Sequence, residues 1–198
     1  MCRSTLILLV AVLLGSSPVF GADNGKVSCV KTEFGRTADG QTIDLYTMNN
    51  RQGVEVQLMT YGATMVSVKT PDRDGKFENI TLGLDTFDDY AKGHPALGST
   101  IGRFANRIGE GGFTISGARY DLESCNPAGV QIHGGGTGFG KQIWDARHEE
   151  LSGLGSMVEF SIASPDGHEG FPGNVKAKAR FTLTDIGDHL SIEYFAET

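Results

Sequence analysis

The chain has 198 residues, with 17 basic and 24 acidic side chains and a formal net charge of −7 at neutral pH. Because it has no run of basic residues that could follow a phosphate backbone, the composition argues against a nucleic-acid-binding protein. The acidic residues are scattered along the chain, which favours a soluble protein that handles a neutral ligand.

The N-terminus has the pattern of a secretory signal peptide. Arg3 precedes an apolar run at residues 6–14, and small and polar residues follow as far as Gly21. A membrane-spanning helix needs about 20 predominantly apolar residues, and this run is much shorter. We therefore predict a signal peptide over residues 1–21, a secreted or periplasmic protein, and no membrane association after cleavage; a retained anchor is the alternative.

Short β-rich segments separated by turn residues dominate residues 22–198, which we predict to form one domain. No segment shows a sustained helical period of apolar residues. Frequent glycine turns between strand-length segments favour an all-β sandwich or barrel over an α/β fold. The predicted elements are strands at residues 27–34, 42–48, 54–61, 65–70, 157–164, 175–184 and 190–196, a hairpin at 113–122, and one or two helical turns at 86–91.

Two cysteines, Cys29 and Cys125, follow the predicted cleavage site. An oxidising compartment would allow them to pair. Two cysteines so far apart in sequence are weak grounds for a disulfide, because their separation in the fold is unknown. The sequence leaves both states open.

The densest polar segment is IGRFANRI, residues 101–108. It places Arg103 and Arg107 four residues apart, with Asn106 beside the second arginine. The guanidinium group of arginine is planar and permanently charged, and its N–H groups donate hydrogen bonds to hydroxyls and carboxylates. The residues alone allow two interpretations, a ligand-binding segment or a pair of surface arginines in ion pairs.

A second candidate segment is QIHGGGTGFG, residues 131–140, in which His133 precedes three glycines. Glycine permits close approach of the backbone to a ligand, and an imidazole donates or accepts protons near neutral pH. The alternative is a loop histidine whose glycines only turn the chain. Trp144 lies just beyond, either as a flat surface for a ligand or, in the interpretation we favour, as a core residue.

The segment SPDGHEGFPG, residues 164–173, brings Asp166, His168 and Glu169 close together in sequence. These are metal-ligand types, but the glycines and prolines make a turn-rich loop and no fourth ligand is obvious. We predict no metal site. Motifs of serine hydrolases and zinc proteases are missing from the sequence.

Together these segments resemble the aldose 1-epimerase (galactose mutarotase) family in order and spacing. Residues 102–108, GRFANRI, are similar to the family's G-R-x-A-N-R-I signature, and residues 132–135, IHGG, to its L-H-G-G element. The hairpin at 113–122 and the loop at 164–173 continue the similarity. The resemblance implies an all-β, galactose mutarotase-like β-sandwich, or supersandwich, and an isomerase.

Members of that family interconvert the α and β anomers of aldoses such as galactose and glucose by acid–base ring opening. The resemblance therefore implies a small-molecule aldose as ligand and no cofactor or metal. By motif match, Asn106 and Arg107 would bind sugar hydroxyls. His133 would be both a sugar-binding and a catalytic residue near the ring oxygen, and Arg103 would give structural support.

The family's remaining catalytic residues have no counterpart among the 198 residues. These are a second histidine in an Asn-His-x-Tyr-Phe-Asn element, a later Asp, and a Glu that serves as the general base. We therefore expect the chain to be the N-terminal part of a longer enzyme, truncated before its general base. The alternative is a non-catalytic carbohydrate-binding β-sandwich module that kept Asn106, Arg107 and His133.

Overall fold

The computed structural model describes residues 27–185 and 189–198 of the chain. The predicted signal peptide, residues 1–21, lies outside these ranges. In the described part the chain forms mostly antiparallel strands, with one short α-helix and two 3₁₀ turns. No helix in this part is long and apolar enough to cross a membrane.

The first sheet is an antiparallel meander whose spatial order follows the chain. Its strands are β1 (Ser28–Arg36), β2 (Thr42–Asn49), β3 (Glu55–Met59), β4 (Thr64–Pro71) and β5 (Phe77–Asn79). The first four agree with the predicted strands to within two residues at each end. The three-residue β5 was not predicted, because all three of its residues are exposed and the strand shows no apolar alternation.

A connecting region follows the first sheet and carries two of the candidate segments. It contains the helix α1 (Phe87–Ala91), the strand pair β6 (Arg107–Ile108) and β9 (Gln131–Ile132), and the hairpin of β7 (Gly112–Ile115) and β8 (Ala118–Asp121). Thr86 caps α1, since its side chain accepts a hydrogen bond from the Asp89 backbone N–H. The predicted helix and hairpin are both present.

The second sheet is another antiparallel meander. Its strands are β10 (Asp145–Leu151), β11 (Gly155–Ser164), β12 (Val175–Thr184) and β13 (Leu190–Glu197). The last three were predicted, but β10 was not. Its sequence, DARHEEL, lies at the sheet edge and is largely exposed, so it lacks the alternation of a half-buried strand.

The two sheets pack face to face, which confirms the predicted β-sandwich. The rings of Tyr46 on β2 and Phe160 on β11 meet edge to face at 6.2 Å, and Phe181 on β12 adds a second such contact with Phe160. Trp144 is 2% exposed, and its indole N–H donates to the Phe139 carbonyl at 2.9 Å. The tryptophan is therefore a core residue, as we favoured.

The other face of the first sheet is covered by α1. Phe87 and Tyr90 from the helix pack against Ile43, Leu45 and Met59. The first sheet thus lies between the second sheet and the helix. Both faces of its central strands are buried, which explains why their apolar residues do not strictly alternate.

Cys29 and Cys125 are free thiols. Cys29 packs against the core between the sheets, where burial, with a smaller contribution from Glu150, raises the pKa of its thiol to about 11. The Cys125 thiol donates to the Leu122 carbonyl at 3.6 Å. The structure therefore shows the unpaired state that the sequence left open.

A row of charged residues crosses the second sheet on the face turned away from the core. Arg147, Glu159, Arg180 and Glu193 lie opposite one another on its four strands. Glu159 is 4% exposed and accepts hydrogen bonds from Arg147 at 3.0 Å and Arg180 at 2.7 Å. These bonds hold the pKa of the Glu159 carboxyl at about 2.

Replacing Glu159 with Gln should lower the free energy of unfolding by about 2 kcal/mol at pH 7, because the neighbouring cations lose their shared counter-charge. The folded-state pKa lies below the ordinary value of 4.5, so the stabilisation is fully present above pH 4.5 and is lost as the pH falls toward 2. Urea unfolding of both proteins at pH 7 and pH 3 measures this, and the difference should be smaller at pH 3.

The matched control for this variant is Glu149→Gln, which removes an exposed carboxylate from the same sheet. It should change the stability by no more than about 0.5 kcal/mol. A Glu159→Gln effect of the same size at both pH values would contradict the assigned pKa.

Candidate functional site

The two candidate segments, residues 101–108 and 131–140, lie side by side. Strand β6 pairs with β9, so that Arg107 is opposite Ile132. Further along, the Phe139 N–H donates to the Gly102 carbonyl at 3.0 Å. A Cβ atom at Gly134 would collide with that same carbonyl oxygen, and one at Gly102 would collide with the Phe139 ring. Glycine is therefore required at both positions for the segments to approach.

Asn106 and His133 are joined by a reciprocal pair of hydrogen bonds. The His133 N–H donates to the Asn106 carbonyl at 2.8 Å, and the Asn106 N–H donates to Nδ1 of His133 at 3.1 Å. Both residues have left-handed backbones, with φ of 67° and 54°. Positive φ is uncommon for residues other than glycine and often marks a functional site. The bond to Nδ1 also places the proton of the neutral imidazole on Nε2.

Arg107 completes a cluster with these two residues. Its Nη1 donates to the Asn106 side-chain carbonyl at 2.9 Å. Arg107 and Asn106 are exposed, and His133 is half-buried. The structure thus brings together all three residues that the sequence predicted for a binding site, with amide, guanidinium and imidazole N–H groups available as donors.

Arg103 is directed away from this cluster. Its Nε donates to the Ser164 hydroxyl at 2.8 Å, and its Nη2 donates to the carbonyls of Ser164 at 2.8 Å and Pro165 at 2.7 Å. The Nη1 group donates to the Pro172 carbonyl at 3.0 Å. The guanidinium therefore ties segment 101–108 to the loop at 164–173, which is the supporting position expected for it.

A directed chain of hydrogen bonds continues from Arg103 to the segment that carries His133. Because Arg103 donates to the Ser164 oxygen, the Ser164 hydroxyl can donate to Nδ1 of His168, at 2.8 Å. The Thr137 hydroxyl donates to the Glu169 carboxylate at 2.6 Å, so Nε2 of His168 donates to the Thr137 oxygen at 3.0 Å. The network assigns His168 the tautomer protonated at Nε2.

Glu169 is the anionic end of this chain. It is 4% exposed, has a φ of 54°, and accepts hydrogen bonds from both the backbone N–H and the hydroxyl of Thr137. Burial raises the pKa of its carboxyl, but the bonds from Thr137, Ser124 and Gly136 outweigh burial and leave the pKa below its ordinary value. Glu169 therefore holds the glycine-rich segment in place as a carboxylate.

The residues considered as metal ligands have separate partners. His168 bonds Ser164 and Thr137, Glu169 bonds Thr137, and the Asp166 carboxylate accepts from the Gly173 N–H. Within the part of the chain that the structure describes, no group of three His, Cys, Asp or Glu side chains could hold a metal ion.

His133 lines a cavity of about 520 Å³ next to the cluster. This size falls within the range of roughly 300–1,000 Å³ that is typical of small-molecule sites. Among the described residues, no Asp or Glu lines the cavity, whose walls combine aromatic, apolar and basic side chains. The larger side chains that line it include those of Tyr61, Tyr90, His94, Ile132, His133 and Lys141.

Sequence reasoning missed several residues of this region. His94 stands alone between Gly93 and Pro95, outside any recognisable motif, and nothing in the sequence places it near His133. Lys141 reaches the Gly135 carbonyl at 3.0 Å, a contact within the turn after the glycines. Only its position eight residues after His133 could have drawn attention to it.

Comparison with known proteins relates the chain to sugar epimerases. Residues 44–198 match the family model described as aldose 1-epimerase. The chain is 34% identical over 172 residues to a galactose mutarotase from Sus scrofa. The aligned region covers 86% of this chain and 48% of that protein. The chain is 37% identical over 158 residues to an aldose 1-epimerase from Escherichia coli (strain K12), covering 80% and 44% respectively.

A solved structure agrees with these sequence matches. A galactose 1-epimerase from Lactobacillus acidophilus NCFM superimposes with a TM-score of 0.74 at 30% identity, over 86% of this chain and 48% of that one. The chain spans about half the length of the relatives that it matches.

Replacing Glu169 with Gln should loosen the segment that carries His133. The variant keeps an acceptor oxygen but loses the charge, which roughly halves the strength of the bonds from Thr137. We expect hydrogen exchange of the Thr137 amide to accelerate about tenfold, measured under native conditions by NMR, while amides of β11 and β12 are unaffected.

Glu150→Gln, which alters an exposed carboxylate on β10, is the matched control and should leave the Thr137 amide unchanged. Equal exchange rates for Thr137 in wild type and Glu169→Gln would show that the carboxylate does not hold this segment.

Proposed function

The chain belongs to the aldose 1-epimerase family, and we propose that its described residues supply the sugar-binding part of a site that interconverts the α and β anomers of an aldose. The observation that carries this proposal is the Asn106–His133 hydrogen-bonded pair with Arg107 beside it. Three polar side chains from segments 101–108 and 131–140 meet there, and one of them, His133, also lines a cavity of about 520 Å³.

The donors of this cluster suit the hydroxyls of a neutral sugar. Because Nη1 of Arg107 donates to the Asn106 carbonyl, the Asn106 amide group is oriented with its N–H bonds free to donate elsewhere. The exposed guanidinium offers further N–H groups in a fixed plane. We propose that Asn106 and Arg107 bind adjacent hydroxyls of the sugar.

His133 is proposed to act at the ring oxygen. Its Nδ1 accepts the Asn106 N–H, so the neutral ring presents Nε2–H as a donor. A hydrogen bond from this group would polarise the bond between C1 and the ring oxygen as the ring opens. Each well-placed proton-transfer group contributes roughly 10²–10⁴-fold to such a reaction.

The proposed reaction proceeds by proton transfers within one sugar. A base removes the C1 hydroxyl proton while an acid protonates the ring oxygen, which gives the open-chain aldehyde. Rotation about the C1–C2 bond and closure on the other face give the second anomer. We propose this activity for a protein that also has the acid and base residues that the resemblance assigns outside these 198 residues.

Galactose and glucose are the proposed substrates. The names of the Sus scrofa and Lactobacillus acidophilus relatives refer to galactose. The absence of carboxylates among the described residues of the cavity wall suits a neutral aldose, since nothing there requires a cationic ligand. The pattern of residues 1–21 supports the further proposal of a secreted or periplasmic protein.

A carbohydrate-binding module without catalysis remains the second candidate. It is favoured by the fact that the predicted sugar-binding residues are assembled within the described part of this chain. The two candidates share sugar binding by these residues and differ in whether mutarotation is accelerated by the protein that also has the family's acid and base residues.

Replacing Arg107 with Ala should weaken galactose binding about tenfold, because the sugar loses hydrogen bonds from a charged donor. Ligand-observed NMR titration of the purified chain measures the affinity, and polarimetry of freshly dissolved α-galactose measures mutarotation. Arg73→Ala, which removes an exposed arginine from the turn between β4 and β5, is the control and should bind like wild type.

Binding together with faster mutarotation would establish a complete catalyst within these residues. Binding without acceleration would favour the module, or a catalyst that needs further residues. If galactose and glucose both fail to bind, or if Arg73→Ala is as impaired as Arg107→Ala, the proposed site is wrong.

A further inference from the structure

A second histidine, His94, lines the same cavity as His133. It lies in the loop that connects α1 to segment 101–108, and its side chain is half-buried. The loop residues Gly93, Pro95 and Ala96 also line the cavity. Neither the motifs of the sequence nor the proposed hydroxyl-binding cluster accounts for this imidazole.

The imidazole of His94 is held on two sides. Its Nδ1 accepts a hydrogen bond from the Leu97 N–H at 2.9 Å. Its ring packs edge-on against Tyr90, with centroids 4.9 Å apart and planes at 84°. Tyr90 is itself 1% exposed and accepts a hydrogen bond from the Leu84 N–H at 3.0 Å. The orientation of the ring is therefore fixed before any ligand binds.

The loop that carries His94 is anchored to the first sheet. The Met65 N–H of β4 donates to the Gly98 carbonyl at 2.9 Å, and a Cβ atom at Gly98 would collide with the Met65 carbonyl. The hydroxyls of Thr64 and Ser99 also share a hydrogen bond of 3.0 Å. A donor on this loop is thus supported by a rigid strand, as a well-formed binding site requires.

The hydrogen-bonding state of His94 matches that of His133. In each ring Nδ1 accepts a backbone N–H, from Leu97 in one case and Asn106 in the other, so the neutral form carries its proton on Nε2. Burial lowers the pKa of His94 and favours the neutral form. Among the described residues, Nε2 of His94 has no hydrogen-bond partner.

We propose that His94 is a second sugar-binding histidine, which donates a hydrogen bond from Nε2 to a hydroxyl of the aldose that contacts His133. This inference rests on the proposed function and adds a specificity-determining residue to it. Two fixed donors in one cavity would select aldoses whose hydroxyls reach both, whereas a histidine that only closes the turn at Leu97 would not respond to the sugar.

The test is a titration of the full chain with D-galactose, observed through the ¹⁵N chemical shifts of its five imidazoles. We expect Nε2 of His94 and Nε2 of His133 to shift together with the same dissociation constant. His148 and His189, which are exposed and do not line the cavity, are internal controls and should not move.

A shift at His133 without one at His94 would overturn this inference and leave the proposed function standing. No shift at either ring, up to the highest galactose concentration of the titration, would overturn both. The two failures are thus distinguished in a single titration.

A variant gives the second measurement. His94→Asn keeps an acceptor at the position of Nδ1 for the Leu97 N–H but removes the Nε2 donor, and we expect its galactose affinity to fall about three- to tenfold. His148→Asn is the matched control and should bind like wild type. Unchanged affinity in His94→Asn would contradict the proposal.

Discussion

The candidate site depends on the close approach of two backbone segments. Gly102 and Gly134 meet where a side chain on either would collide with the neighbouring segment or with the Phe139 ring. This contact brings segment 101–108 alongside segment 131–140 and lets Asn106 and His133 exchange their two hydrogen bonds. Both residues have left-handed backbones where the two segments meet, a conformation that is often found at functional sites.

The rest of the sandwich keeps that contact in register. The Phe139 ring that fills the space beside Gly102 packs edge-on against Trp144, which lies in the core between the sheets. On the opposite side, Arg103 and Glu169 connect the two segments to the loop that follows β11. The polar cluster is therefore supported by an apolar core on one side and by a charged network on the other.

The sequence predicted most of the strands, and it also singled out the three residues that the structure brings together in the polar cluster. Most strands of the first and second sheets contain runs of apolar and β-branched residues. Because such runs are local in the sequence, they predict strands without knowledge of the fold. The prediction of Asn106, Arg107 and His133 as binding residues rests on motif similarity, because the sequence alone does not show that they lie together. The edge strand β10 was missed because its exposed, charged sequence lacks the apolar face by which a half-buried strand is predicted.

The supporting residues could not have been found in the same way. His94 lines the cavity from a loop that is anchored to β4. The hydrogen-bond network from Arg103 to Glu169 joins residues more than sixty positions apart in the sequence. Contacts of this kind depend on how the sheets pack. A single sequence contains no periodicity or spacing that reports them.

The bonds from Arg103 to Ser164 and Pro165 have a consequence for the order in which the molecule is made. During synthesis, segments 101–108 and 131–140 leave the ribosome before the loop at 164–173. Arg103 therefore has no acceptors at Ser164 and Pro165 until that loop has been made. Closing a loop of this length is a late and slow event compared with forming the local hairpins. The support that Arg103 gives to segment 101–108 therefore forms only after the loop at 164–173 has been synthesised, and a nascent chain stalled before Ser164 would carry every residue of the polar cluster without that support.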